Sequence, residues 1–424
     1  MKRIAAFVLL TLLIFDCAHA AVSVRMDDAA ALLTEDGGVL VPVGAYADIV
    51  SLGGGLFAAS PDGALYALMD ESGARLTDAL YDEFRAEGSM LLARRGGAWG
   101  LMGCDGTETG AFEYERIETD GEGGWALRGE MSPDVLLVLS ADGSARSSGL
   151  FALRIGEAAE GLLPVELEAG RWGCCDRAGG LVIEGDFGYI GSFVSGRAPA
   201  VFDGMYGAID SRGEWIVAPA YDFLEISDAG FILAANGEGV RLLDMDGGER
   251  AAYSGEGVCA ALAGAGYAVG DGDSLRVFDA AGALVEELTP DAAVSEGVGE
   301  QLVISEGMWG ESCVRLLGTD AAYQNLYPLG MAGEEKVYAC MRVSAARYEN
   351  DLLKEIQISV DMDTARYGMV NGAGKQILPC HYRSIEYLCD DRFLVRAARQ
   401  WQMIDSKGKI YWYRRIIQTE APSF

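Results

Sequence analysis

Apolar runs of about four or five residues, separated by short polar turns, recur along this chain with a period of about 35 residues. Two copies show the pattern most clearly: YGAIDSRGEWIVAPAYDFL, Tyr206 to Leu224, and YGMVNGAGKQILPCHYRSI, Tyr367 to Ile385. Taking the aromatic or apolar residue that opens each copy as the origin places openings at Ala31, Tyr66, Trp99, Leu136, Trp172, Tyr206, Val240, Leu275, Tyr367 and Trp401. Successive openings are 33 to 37 residues apart, except for 92 between Leu275 and Tyr367. That gap leaves room for a weakly marked copy near Cys313 and an insertion of roughly 20 residues. Seven positions after every opening stands a glycine, from Gly38 and Gly73 to Gly374 and Gly408. Four positions after it, most copies carry an acid or amide, as at Glu35, Asp70, Asp210 and Asn371. Asp-x-x-Gly between two apolar runs predicts a hairpin turn in which the carboxylate caps backbone N–H groups and the glycine takes positive φ. An aromatic returns fifteen positions after the opening and an apolar residue three further on, as Tyr221 and Leu224 or Tyr382 and Ile385. Each copy reads as three or four short strands, and the chain as all-β.

Opening strands such as Trp99-Gly-Leu-Met and Tyr206-Gly-Ala-Ile are apolar on both faces, where a sheet with one wet face would alternate. Such strands need cover on both sides. A unit this short cannot supply it alone, so neighbouring copies are expected to stack sheet on sheet. The pairs Trp99-Gly100, Trp172-Gly173, Tyr206-Gly207 and Tyr367-Gly368, with Trp401 opening the last copy, are the expected structural repeat positions. The glycine would let a neighbouring side chain approach the backbone. These residues resemble the bacterial WG-repeat proteins, whose motif joins an aromatic-Gly pair to two apolar residues, an Asp-x-x-Gly-like turn, an apolar strand and a Pro-x-Tyr-Asp-like segment. Tyr206 to Leu224 fits almost throughout, with Pro219, Tyr221 and Asp222 in place, whereas Trp401-Gln402, Ala31, Val240 and Leu275 depart from it. The resemblance implies a β-repeat array used as a binding or scaffolding surface, and it brings no catalytic residue set. About ten or eleven copies exceed the four to eight blades usual for one propeller, so a propeller-like ring and an open β-solenoid or superhelix both stand as architectures.

The N-terminus follows another logic. Lys2 and Arg3 precede an apolar run from Ile4 to Phe15, and Ala18-His19-Ala20 has the small-x-small form read by signal peptidase. Residues 1–20 therefore read as a signal peptide cleaved after Ala20. The run is too short to span a bilayer comfortably. Cys17 offers a lipoprotein alternative, disfavoured by Asp16 and Phe15 before it. The remainder divides into about eight or nine copies over 21–320, an insertion over 321–366, and two further copies with a tail over 367–424. Within the insertion, two β-like runs beginning at Lys336 and Glu355 flank the polar stretch Arg347 to Lys354, which predicts a long projecting hairpin or a short helix on a loop.

With 64 acidic against 33 basic residues the formal net charge is −31, and removal of the signal leaves the mature chain one unit more negative. A field of that sign disfavours nucleic acid and anionic membranes as partners. The mature chain holds a single histidine, His381, and lacks a CxxC pair and any Walker, GxSxG or GxGxxG element placed between strand and helix. Asp271-Gly-Asp273 and Asp361-Met-Asp363 read as turns rather than calcium loops. Eight cysteines remain after cleavage. Cys380 with Cys389 could close a short loop, while Cys174-Cys175 occupy the two apolar positions after Trp172-Gly173 and read as small core residues. Trp125, Trp215, Trp309 and Trp412 stand off the repeat register and are expected to be exposed contact residues.

No catalytic residue, cofactor or metal is assigned. The expected function is non-catalytic recognition of an unidentified protein or glycan by an exported chain, secreted or in the cell envelope, with no membrane span once mature. A glycosidase-like hydrolase using two carboxylates and a structural spacer of the envelope are the alternatives. Function is expected where the phrase fails: in 321–366, at the off-register tryptophans, and in the degenerate copies between Val240 and Asp320.

Overall fold

The structure, a computed structural model, describes residues 21–415 other than 28, 130–133, 141, 256–257, 300, 308–312 and 351–354, with no side-chain placement over 346–350 and 355–359. Residues 1–20, read above as a signal peptide, with Cys17 and Ala20, and likewise Trp309 and the residues from 416 on, lie outside the described residues.

The described residues form strands and turns without a helix, grouped into eleven antiparallel meanders. These blades, numbered along the chain, span 21–46, 48–81, 83–114, 116–152, 154–187, 189–221, 223–254, 259–288, 293–323, 325–382 and 384–415. Most have four strands, and in blades 2, 3 and 9 the fourth is reduced to isolated bridges such as Tyr66–Tyr81, Trp99–Tyr114 and Val314–Tyr323. The two-faced apolar pattern of the opening strands has a direct cause. Each is the third strand of its blade, or in three-stranded blade 1 the second described one, with a neighbouring blade on either side. In blade 6, Ala208 packs towards blade 7 and Ile209 towards blade 5. In blade 5, Cys174 faces blade 6 and Cys175 faces blade 4, both fully buried, and burial pushes both thiols up. A fully buried aliphatic side chain contributes about 1.5–3 kcal/mol, and these strands supply several each.

One such apolar interface joins every successive pair of blades, and a last one joins the two ends of the chain. Val24, Met26, Ala31 and Leu33 of blade 1 pack on Leu394, Trp401 and Met403 of blade 11. Arg396 pairs with Asp27 at 3.1 Å, and Arg392 Nε donates to the Glu35 carbonyl at 3.0 Å. The array is therefore one closed ring, which removes the open superhelix.

The predicted turns form as their chemistry requires. Asp210 Oδ1 accepts from the N–H groups of Arg212 and Glu214 at 2.8 and 3.0 Å, and Gly213 has φ +82°. Blade 1 departs by one residue. There Thr34, not Glu35, receives the N–H groups, and Gly37 rather than Gly38 takes the positive φ. The glycine after the opening aromatic also differs from expectation, because what approaches it is mainly backbone. A Cβ on Gly207 would lie 2.4 Å from the Val217 carbonyl oxygen, and one on Gly173 2.6 Å from that of Ile183. In each blade the fourth strand shifts register opposite this glycine and folds over it. A Cβ on Gly207 would also lie 2.7 Å from the Trp215 ring, and at Gly100 the nearest atoms are all of the Phe112 ring.

The segment 321–366 is less separate than its sequence indicates. Asn325–Ala332 and the beginning of Glu335–Asn350 are the first two strands of blade 10, and the end of Glu355–Asn371 is its third. What exceeds a blade is the continuation of these last two strands as a hairpin, paired from Ser344–Asp361 to Asn350–Glu355. The opening Tyr367 follows this hairpin, so strands that precede it fall outside the sequence register. The weakly marked copy near Cys313 supplies the third strand of blade 9, Val314–Leu316.

Candidate functional site

A four-stranded meander places the start of its first strand and its second-to-third turn on one rim, and its Asp-x-x-Gly turn on the other. On the first rim, blades 4, 5 and 6 bring together Arg116, Arg154 and Tyr189, each the first residue of its blade's first strand. With Glu166, Gly170 and Trp172 of blade 5 they line an open cleft of about 780 Å³.

The cleft is built by packing that the repeat imposes. Trp172 opens its copy and is 7% exposed, so its ring is a wall fixed in the core. Tyr189, 41% exposed, sets its ring edge-on to Trp172 at 5.4 Å between centroids. The Arg154 guanidinium lies 5.8 Å from the Trp172 ring and pairs with Glu166, adding a cation–π contact to an ion pair. Glu166 is almost wholly buried and also accepts from Gly170 N–H at 2.8 Å. The hydrogen bond from Arg154, helped by Gly170 and opposed by burial, holds its carboxyl below the usual carboxylate range. Arg116 pairs with Glu118 at 2.7 Å, and burial pushes the Glu118 carboxyl up against the pull of that guanidinium. Burial likewise raises the Tyr189 hydroxyl.

Glu166 is already committed to a guanidinium and a backbone N–H, which makes it a weak base. The exposed Tyr189 face and the two guanidinium groups are the side-chain types that dominate recognition surfaces. Among the described residues no group of three or more His, Cys, Asp or Glu side chains is placed to hold a metal ion, and no helix is long and apolar enough to cross a membrane.

Of the expected repeat positions, Trp172 alone lines the cleft. Trp99-Gly100, Tyr206-Gly207, Tyr367-Gly368 and Trp401 lie in the third strands of blades 3, 6, 10 and 11, where they pack blades together. The off-register tryptophans are not an exposed contact set. Trp125 is fully buried on the second strand of blade 4, with Nε1 donating to the Asp176 carbonyl at 3.1 Å, because that strand faces blade 5 as fully as the third strand does. Trp215 is half-buried, 5.5 Å from the Phe187 ring, and Trp412 is half-buried at the ring closure. His381 is exposed and outside the cleft. Asp271 accepts from the N–H groups of Asp273 and Ser274 and pairs with Arg276, as a turn residue does. Cys380, expected opposite Cys389, has the Cys340 sulfur 3.6 Å away.

Arg116, Arg154, Glu166 and Tyr189 escaped the sequence reading. A signal existed: Arg116, Arg154 and Tyr189 each immediately precede the apolar anchor of a first strand, Ile117, Ile155 or Ile190. The same position is Glu83, Phe223 or Ser384 elsewhere, so it varies while the anchor does not.

Residues 172–206 and 206–237 match the family described as WG containing repeat. No curated protein shows significant sequence similarity to the chain. Among solved structures, BamB from Moraxella catarrhalis is 13% identical with a TM-score of 0.32, over 61% of this chain and 92% of its own. Hsv2 of Kluyvelomyces marxianus is 10% identical with a TM-score of 0.32, over 66% and 96%. A eukaryotic initiation factor is 11% identical with a TM-score of 0.42, over 93% and 95%. The first matched stretch runs from the third strand of blade 5, through Trp172 and Tyr189 of the cleft, to the start of the third strand of blade 6, and the second continues from there past the second strand of blade 7, so two consecutive WG-containing repeats are matched over blades 5 to 7.

Proposed function

We propose that this chain is an exported, non-catalytic binding module that engages a protein partner through the cleft at blades 4 to 6. The observation that carries this reading is the grouping of Arg116, Arg154 and Tyr189 on one rim, against a wall of Trp172 and Glu166. Trp, Tyr and Arg are enriched at protein hot spots, where an aromatic body and a guanidinium fork are held rigid beforehand. A glycan would use the same Tyr189 face and is the competing partner class. Export rests on the basic, apolar and small-x-small order of residues 1–20, and cleavage after Ala20 would leave the first strand, Ala21–Met26, whole.

The test is capture of binders from cell-envelope extracts and from a glycan panel by the mature chain, compared with Tyr189→Ala and Arg154→Ala. Saturable capture of a protein that falls at least about tenfold with either substitution supports the reading, about tenfold being 1.4 kcal/mol of binding. Capture undiminished by both substitutions overturns the cleft as the site, and turnover of a glycoside overturns the non-catalytic assignment.

A further inference from the structure

We propose that Cys340 and Cys380 are a redox-active thiol pair that closes to a disulfide across blade 10, at the root of its projecting hairpin. The two residues lie on the second and fourth strands, with the third strand between them. Side chains on strands two apart are ordinarily about 9–10 Å from each other. Here the sulfurs are 3.6 Å apart. Two features close the gap. The fourth strand shifts register between its Tyr367 and Met369 pairings, and Cys340 is paired in register with Gly368, which has no side chain to intervene. A Cβ on Gly368 would stand 2.8 Å from Cys380 N and 2.5 Å from the Leu378 carbonyl oxygen. The glycine that lets the fourth strands of blades 5, 6 and 10 fold inward thus also lets two thiols meet.

The surroundings divide the labour. Cys340 is fully buried, whereas Cys380 is half-buried and receives a hydrogen bond from Gln376 Nε2 at 3.5 Å. The hydrogen bond from Cys340, with the nearby Arg342 guanidinium, lowers the Cys380 thiol, and the same pairing together with burial raises Cys340. Cys380 is then the attacking thiolate and Cys340 the resolving thiol. With a small-molecule disulfide as oxidant, Cys380 Sγ attacks one of its sulfurs, and the other leaves as a thiolate. Cys340 loses its proton to solvent and attacks Cys380 Sγ in the mixed disulfide, releasing the second thiolate. Two protein thiols are oxidised by two electrons, and one small disulfide becomes two thiols. The product ties the second strand of blade 10 to its fourth and closes a loop between residues 40 apart that contains the hairpin.

The experiment treats the reduced, folded mature chain with oxidised glutathione, blocks remaining thiols with iodoacetamide and maps tryptic peptides. Cleavage at Lys336, Arg342, Lys375, Arg383 and Arg392 puts Cys340, Cys380 and Cys389 in three different peptides. The expected result is a cross-link between peptides 337–342 and 376–383, formed in most of the chain and absent from Cys340→Ser and Cys380→Ser. Alkylation of both peptides, a glutathione adduct on Cys380 without the cross-link, or a cross-link from Cys380 to Cys389 would each overturn the proposal. Because the mapping is made on the unsubstituted chain, it does not depend on either variant folding.

Discussion

Blades 6 and 10 are built on the same third-strand phrase, Tyr206-Gly207 and Tyr367-Gly368, and bend their fourth strands over the glycine in the same way. They differ in what fills the space so created. Blade 6 pairs Ala200 with Gly207 and sets Pro219 N 2.9 Å from the position of a Cβ on that glycine; blade 10 pairs Cys340 with Gly368 and sets Cys380 there. Blade 6 joins its second and third strands by a tight turn, whereas blade 10 continues them into a hairpin. One backbone solution thus serves inert packing in one place and candidate chemistry in another. The repeat sets the frame, and the residues standing at its tolerant positions set what each blade can do.

The comparison is broken most severely in the core. Ile209 and Val370 hold equivalent, fully buried positions. Ile209→Ala should cost about 2–5 kcal/mol, with a smaller loss for Val370→Ala in proportion to the smaller side chain. Urea unfolding measures both, and an unchanged midpoint for Ile209→Ala would refute its place in the stack. Next in size are the glycines. Gly207→Ala and Gly368→Ala each drive a methyl group into fourth-strand backbone and should cost about 1–3 kcal/mol. Only the second should also reduce the yield of the 340–380 cross-link.

The smallest effect separates the two turns by pH. Asp210 and Asn371 accept the same pair of backbone N–H groups, but only Asp210 titrates. Burial opposes ionisation of Asp210, yet the N–H groups of Glu214 and Arg212 outweigh it and hold the carboxyl below its ordinary range. A depressed folded-state value means that this stability is fully present above the carboxyl's unfolded value and lost as pH falls through the folded one. Asp210→Asn should therefore cost less than about 1 kcal/mol near neutrality, and its deficit should shrink as pH falls below the ordinary carboxylate range. Unfolding midpoints across that range check this, and a deficit that persists in acid would show that the charge contributes nothing.

Much of the fold is legible in the chain itself because the repeat makes local chemistry and global packing agree. The Asp-x-x-Gly turns, the two-faced third strands and the burial of Cys174 and Cys175 follow from residue type and spacing. The phase of the blades does not follow so easily. A sequence copy begins at a third strand and ends at the next blade's second strand, so the unit read along the chain is not the unit that forms a sheet. Trp125 shows the consequence: off the register of openings, it nevertheless sits at the centre of an interface, since the second strand is buried as deeply as the third.

The sequence by itself determined the element type, the turn chemistry and the need for each copy to be covered on both faces, since these depend on contacts within about one repeat of 35 residues. Only the tertiary structure decided that the copies close into a ring of eleven, because closure rests on small angular steps summed around the stack and on contacts such as Asp27 with Arg396. It likewise decided the cleft and the thiol pair. Arg116, Arg154 and Tyr189 come from three different blades, and Cys340 and Cys380 from strands on either side of a third. Proximity of that kind is a property of stacked sheets and bulged strands, and no spacing along the chain records it.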